Sequence, residues 1–249
     1  MEMASISVPS LVVQFPSRYR MSILQSTSPA RGDAVQRFGN PTALGVIGYL
    51  LCLFPTSMCL MAFRGASPLS LVGLIGPFYA LGGLCMVMAA IGEFILGNTF
   101  ALTVFATFGG FWIATAILSD PMHAVPSAYP DGAANKALNS GVAFYLLTWA
   151  IVCLIYFIAS LKANIGFAIL QFTLIPVFAL LAAAYWEISN PGPDTVDMQR
   201  SLFRAAGAFG FVNCMVGWWL VFTLILESVG ATITLPSRKK SETADRGGS

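Results

Sequence analysis

Apolar residues along this chain gather into six long runs, at 42–62, 69–95, 99–119, 140–161, 165–186 and 205–229, with polar residues concentrated in the breaks between them. Each run has about the length needed to cross the hydrocarbon layer of a bilayer, roughly 20 residues of helix. The pattern therefore predicts an all-α integral membrane protein, a bundle of six transmembrane helices. Breaks at 96–98 and 162–164 are short turns, whereas those around 120–139 and 187–204 are longer and carry Pro, Gly and Asp. The longer pair is expected to cover an outer vestibule. Polar segments at 1–39 and 233–249 flank a transport-sized domain at 40–232.

An even number of spans puts both termini on one side. That side collects Arg18, Arg20, Arg31, Arg37, Lys162, Arg238, Lys239, Lys240 and Arg246, against Arg64, Lys136, Arg200 and Arg204 on the other. The positive-inside bias makes the termini cytosolic. The first 39 residues lack the apolar stretch of a secretory signal and read as a disordered cytosolic tail. The basic C-terminal tail has Ser and Thr near Arg238–Lys240 that are open to phosphorylation or simply solvated.

Composition narrows the function. Charged residues make up 10% of the chain, against roughly 25% in an ordinary soluble domain, and mean hydropathy is +0.76. A net charge of +2 with scattered Lys and Arg gives no basic face for nucleic acid. Cys52, Cys59, Cys85, Cys153 and Cys214 all fall in apolar runs, which supports neither a disulfide framework nor a metal site. His123 is the single histidine and sits in a loop beside Pro121 and Met122, without an acid, base and nucleophile on a shared face. A phosphate-binding Gly-rich loop is missing too. The expectation is a passage for a small molecule, without enzymatic activity and without a cofactor.

Polar residues inside the spans are the functional candidates, because hydrocarbon gives them no partner. Asn40, Asn98 and Asn164 stand at the starts of the three helices that begin on the cytosolic face, with Pro41 in the first turn of one of them. Asn caps helices well, so these positions fit either generic caps or three hairpins in series. Thr99, Thr103 and Thr107 recur every four residues and form a polar stripe beside Phe108 and Trp112. The stripe either lines a conduit or bonds back to its own helix. Asn213 and Gln171 lie deep in apolar runs, as glue between helices or as solute contacts. Glu93 and Glu227 lie near cytosolic helix ends, where they reach the interface or pair with a residue such as Lys162. Pro55 and Pro77 should interrupt the first two helices, and the pairs Gly45/Gly48, Gly73/Gly76 and Gly82/Gly83 permit close helix contact.

Two ordered motifs then stand out. Gly39-Asn40-Pro41-Thr42-Ala43-Leu44-Gly45 resembles the Asn-Pro-Ala-Pro-Leu-Gly signature of the acetate uptake transporter family, also called the YaaH family. Gly82-Gly83, Glu93, Gly97-Asn98-Thr99-Phe100 and Phe108-Gly109-Gly110-Phe111-Trp112 follow at the spacing of that family's second and third helices. Weaker similarity runs on through Phe144–Trp149 to Leu235-Pro236, so the resemblance covers about 39–236.

This resemblance implies a six-helix protomer assembled as a homohexamer that moves acetate and related short carboxylates across the membrane by proton coupling or channel-like flow, and the expected location is the plasma membrane. It also implies a constriction at Tyr49, Phe108 and Leu174, where the two aromatics are exchanged relative to the usual Phe and Tyr. Asn40 and Pro41 match the substrate-linked segment, and Asn98 and Thr99 the second motif, with Thr103 and Thr107 continuing that face; Glu93 is a candidate for a proton or structural role. Three departures mark a divergent member: Ala43 replaces the second Pro, Met86 stands where Gln is common, and Gly92 precedes Glu93 where a bulkier residue is usual. Alternatives are a non-transporting sensor or regulator on the same scaffold, and a carrier of another small solute such as ammonium.

Overall fold

A computed structural model describes residues 39–162 and 164–229. The two tails, with Arg18 through Arg37, Leu235-Pro236 and Arg238 through Arg246, lie outside the described residues, as does the side of the membrane they were expected to mark. The described residues form six long helices: α1 Pro41–Leu60, α2 Pro68–Ile95, α3 Thr99–Ser119, α4 Lys136–Ser160, α5 Ile165–Ser189 and α6 Thr195–Ser228. All six are long and apolar enough to cross a membrane. Helices suit that solvent because each backbone N–H finds its acceptor within the same segment.

Local sequence explains the boundaries. Asn40 starts α1 by accepting from the Thr42 N–H at 3.0 Å, and Pro41 sits where a missing N–H costs nothing. Asn135 and Asn164 cap α4 and α5 in the same way. Asn98 occupies the start of α3 without capping it, and its side chain is directed to Glu93 instead. Gly97, at φ +70°, takes the left-handed conformation that turns the chain from α2 into α3.

Three expectations change. The break at 187–204 is mostly helix: α6 begins at Thr195, and its first turns carry Asp197 and Arg200, which pair at 3.1 Å. Hydropathy missed these turns because they are polar, although nothing in them opposes helix. Similarly, α4 begins at Lys136, ahead of the apolar run. Pro55 lies inside a continuous α1, so it does not interrupt that helix, and Pro176 is accommodated likewise in α5.

Pro77 does mark a change. Helix α2 opens as a 3-10 turn at Pro68–Leu74, passes through one α turn at Ile75–Pro77, widens to π geometry over Phe78–Cys85 and returns to α at Met86–Ile95. Its glycines Gly82 and Gly83 let it press against α3. A Cβ on Gly82 would lie 2.5 Å from Trp112 Cγ, and one on Gly83 2.6 Å from Ile113 Cγ1. Gly73 and Gly76, expected to pack similarly, face open space within the protomer.

The helices close into a ring. Helix α4 packs on α5, α5 on α6, α6 on α1, α1 on α2 and α2 on α3. The α3–α4 seam is joined by aromatic rings, Phe108 on Trp149 at 4.9 Å and Phe111 on Tyr145 at 6.2 Å. Large apolar side chains such as Ile151, Ile155, Trp219 and Phe222 point outward from the ring.

Candidate functional site: two cavities and a neck

Two cavities stand out inside the ring formed by the described residues. The larger, about 500 Å³, opens toward the end of the bundle where α3 and α4 are joined, and its walls include Phe111, Trp112, Tyr145, Phe178 and Tyr185. Pro126 and Ala133 from the connecting loop border it, which fits the expectation of a loop-covered vestibule. The smaller, about 20 Å³, lies toward the starts of α1, α3 and α5 and is walled by Val46, Met86, Val104, Phe105, Phe167, Leu170 and Gln171. Three residues line both cavities: Tyr49, Phe108 and Leu174. All three are buried, and the Tyr49 and Phe108 rings meet edge to face with centroids 6.0 Å apart.

Aromatic packing holds this neck from the α3 side. Phe108 also meets Phe111, Trp149, Tyr156 and Phe178, so its ring is fixed by neighbours from three helices. Hydrogen bonds hold it from the other side. Tyr49 donates its hydroxyl to Asn213 Oδ1 at 2.7 Å, and Asn213 Nδ2 donates to the Leu170 carbonyl at 2.7 Å and to Thr173 Oγ1 at 2.8 Å. Asn213 thus joins α1, α5 and α6, the gluing role considered for it in the sequence. The phenol of Tyr49 is thereby engaged, and its ring remains as the surface at the neck.

Glu93 is almost fully buried on α2. It accepts hydrogen bonds from Thr42 Oγ1 at the start of α1 and from Asn98 Nδ2 at the start of α3. Neither the interface nor Lys162 holds it. One carboxylate therefore gathers the two motifs that carry the family resemblance. Gly92 belongs to the same junction, because a Cβ there would come within 2.6 Å of Pro41 Cβ. Its departure from the usual bulkier residue fits the close approach of Pro41.

The threonine stripe is placed differently from the neck. Thr103 bonds back to the Thr99 carbonyl and Thr107 to the Thr103 carbonyl, each at 2.8 Å, while Thr107 Oγ1 also meets Tyr156 Oη at 3.1 Å. Thr99 and Thr103 are exposed on the protomer, and none of the three borders either cavity. Glu227 is exposed near the end of α6, and His123 lies in the loop beside Asp120 at 3.3 Å. The aromatic wall of the vestibule and the Tyr49–Asn213 bond escaped sequence reasoning. The bond joins residues 164 positions apart, and local spacing carries no signal for it.

A family model described as the GPR1/FUN34/yaaH family matches residues 25–239. Protein alcS of Aspergillus fumigatus is 32% identical over 98% of this chain and 91% of its own length. Acetate transporter protein patA of Penicillium expansum is 32% identical over 84% of this chain and 83% of its own. Among solved structures, that of the bacterial acetate channel SatP matches with a TM-score of 0.63 at 22% identity, covering 80% of this chain and 98% of that one, a likeness of fold. The chain is a multi-pass membrane protein with that fold.

Proposed function

The chain belongs to the GPR1/FUN34/yaaH family, and from that premise we propose that it conducts acetate and related short-chain carboxylates across the plasma membrane, through the two cavities and the neck between them. The observation that carries this reading is that Tyr49, Phe108 and Leu174 alone border both cavities. An apolar constriction of this kind resists hydrated ions while small solutes of low polarity pass. Relatives named as an acetate transporter, patA, and as an acetate channel, SatP, support the substrate class.

In this reading the solute gathers at the starts of α1 and α3. Exposed backbone N–H groups and the positive ends of the helix dipoles favour a carboxylate there, near Asn40, Pro41, Asn98 and Thr99. Glu93 holds the two starts together through Thr42 and Asn98. The outward apolar faces of α4 and α6 suit contact with lipid and with sister protomers in a homohexamer.

Uptake of radiolabelled acetate into proteoliposomes holding the purified chain, with and without an inward proton gradient, tests the proposal. Uptake that collapses in an Asn40→Ala control supports the conduit, and dependence on the gradient separates coupled transport from channel flow. Folded protein that takes up no acetate but does take up ammonium would replace the substrate, and uptake of neither would point to a regulatory role.

A further inference from the structure

The smaller cavity contains one polar anomaly. Gln171 is 3% exposed, and its Oε1 is buried with no hydrogen-bond partner. An orphan acceptor of this sort costs free energy unless something at the site supplies a donor. The side chain lies one helical turn before Leu174, on the face of α5 that forms the neck, and the rest of the cavity wall consists of Val46, Met86, Val104, Phe105, Phe167 and Leu170 with the neck trio. Asn213, the nearby amide, has already committed its oxygen to Tyr49 and its nitrogen to Leu170 and Thr173. On this wall Gln171 is therefore the side chain with a buried polar atom left without any hydrogen bond, since the Tyr49 hydroxyl is engaged by Asn213.

An ionised carboxylate has acceptors and no donor, so it cannot satisfy an orphan carbonyl oxygen. A protonated carboxylic acid can, because its O–H donates to Oε1 while its own carbonyl accepts from the amide N–H₂, a matched pair of bonds. The wall also presents no cation, so an anion entering it would be desolvated without compensation. Resting on the conduit proposed above, we infer that Gln171 is the residue that receives the solute's carboxyl group beside the neck, and that it receives the neutral acid. The cavity volume of about 20 Å³ exceeds the roughly 10–15 Å³ that one water requires, so water can hold the hydroxyl's place between solutes.

The test uses the full-length chain in proteoliposomes and measures radiolabelled acetate uptake for wild type and Gln171→Leu. Two unlabelled competitors are added: acetamide, a neutral isostere with a donor and an acceptor, and methanesulfonate, which stays ionised. The expected result is a KM for acetate raised roughly tenfold or more by Gln171→Leu, the loss of one buried pair of bonds. Acetamide should compete in wild type and lose that competition in the variant, and methanesulfonate should compete in neither. An unchanged KM in folded Gln171→Leu, or methanesulfonate competing in wild type as well as acetamide does, would overturn the assignment and leave the conduit standing. If the variant fails to fold, the wild-type competition alone decides. Wild-type protein that takes up no acetate would overturn the conduit, and this assignment with it.

Discussion

Tyr49 and Asn213 are joined by a hydrogen bond of 2.7 Å between the hydroxyl of one and the amide oxygen of the other, both buried, and that bond fixes the aromatic edge of the neck to α6. Asn213→Ala leaves the Tyr49 hydroxyl without a partner and empties the buried space of the amide, while the Leu170 carbonyl keeps Thr173 Oγ1 at 3.1 Å. Tyr49→Phe leaves only the Asn213 oxygen. Each buried group abandoned in this way costs about 1–3 kcal/mol. Thermal unfolding in detergent should show the Asn213 variant melting below the Tyr49 variant, and both below wild type; equal melting of all three would mean that the bond contributes nothing to the neck.

Phe108 borders both cavities, and in the proposed conduit its ring limits the size of the solute. Phe108→Ala should admit larger carboxylates, read as a gain in uptake of butyrate relative to acetate, with a stability cost of about 3–5 kcal/mol from the emptied site. Because that cost threatens folding, Phe108→Leu serves as a milder companion and should shift the same ratio by less. Unaltered selectivity in both folded variants would place the selective step elsewhere.

Glu93 accepts from two different helix starts, and Glu93→Ala abandons both donors at once. Uptake should fall more than tenfold. Asn98→Ala, which removes one of the two partners, should have an intermediate effect and should leave the Asn40 cap intact, since that bond is made to the Thr42 N–H. Wild-type rates in Glu93→Ala would remove this junction from the mechanism.

The close approach of α2 to α3 at Gly82 is the fourth point to probe. An added methyl meets Trp112 Cγ at 2.5 Å and Cys52 Sγ at 2.9 Å, neither at the end of a flexible chain. Gly82→Ala should lose about 1–3 kcal/mol from overpacking, whereas Gly76→Ala, with open space around it, should melt like wild type. Scanning calorimetry or a thermal shift in detergent distinguishes the two.

The spans themselves were legible because hydrocarbon demands uninterrupted apolar helix, and five of the six apolar runs lie within a few residues of the helices that contain them. The sixth was displaced at its start, since the polar first turns of α6 from Thr195 to Arg204 are helical without being apolar. Asn40 and Asn164 were readable as caps because capping is a local event. Asn98 looked identical in sequence, yet a carboxylate five residues back captured its side chain. Sequence likeness pointed to the neck trio, and the geometry places the three residues at one junction. The threonine stripe was a true periodicity, but period alone does not say which face of α3 turns inward; the hydroxyls of Thr103 and Thr107 bond to their own helix.

The wide turns of α2 over Phe78–Cys85 have a consequence for how that helix can vary. A π turn closes its bonds one residue further along than an α turn, and each residue of an α-helix advances about 100° around the axis. The segment therefore acts as a phase adjuster: Leu71 and Val72 above it face the vestibule, while Met86 below it faces the small cavity and Glu93 the junction. One helical wheel cannot describe both halves. Loss of a single residue between Phe78 and Cys85 can be taken up by tightening a π turn to an α turn, whereas the same loss within Met86–Gly92 would swing Glu93 about 100° away from Thr42 and Asn98.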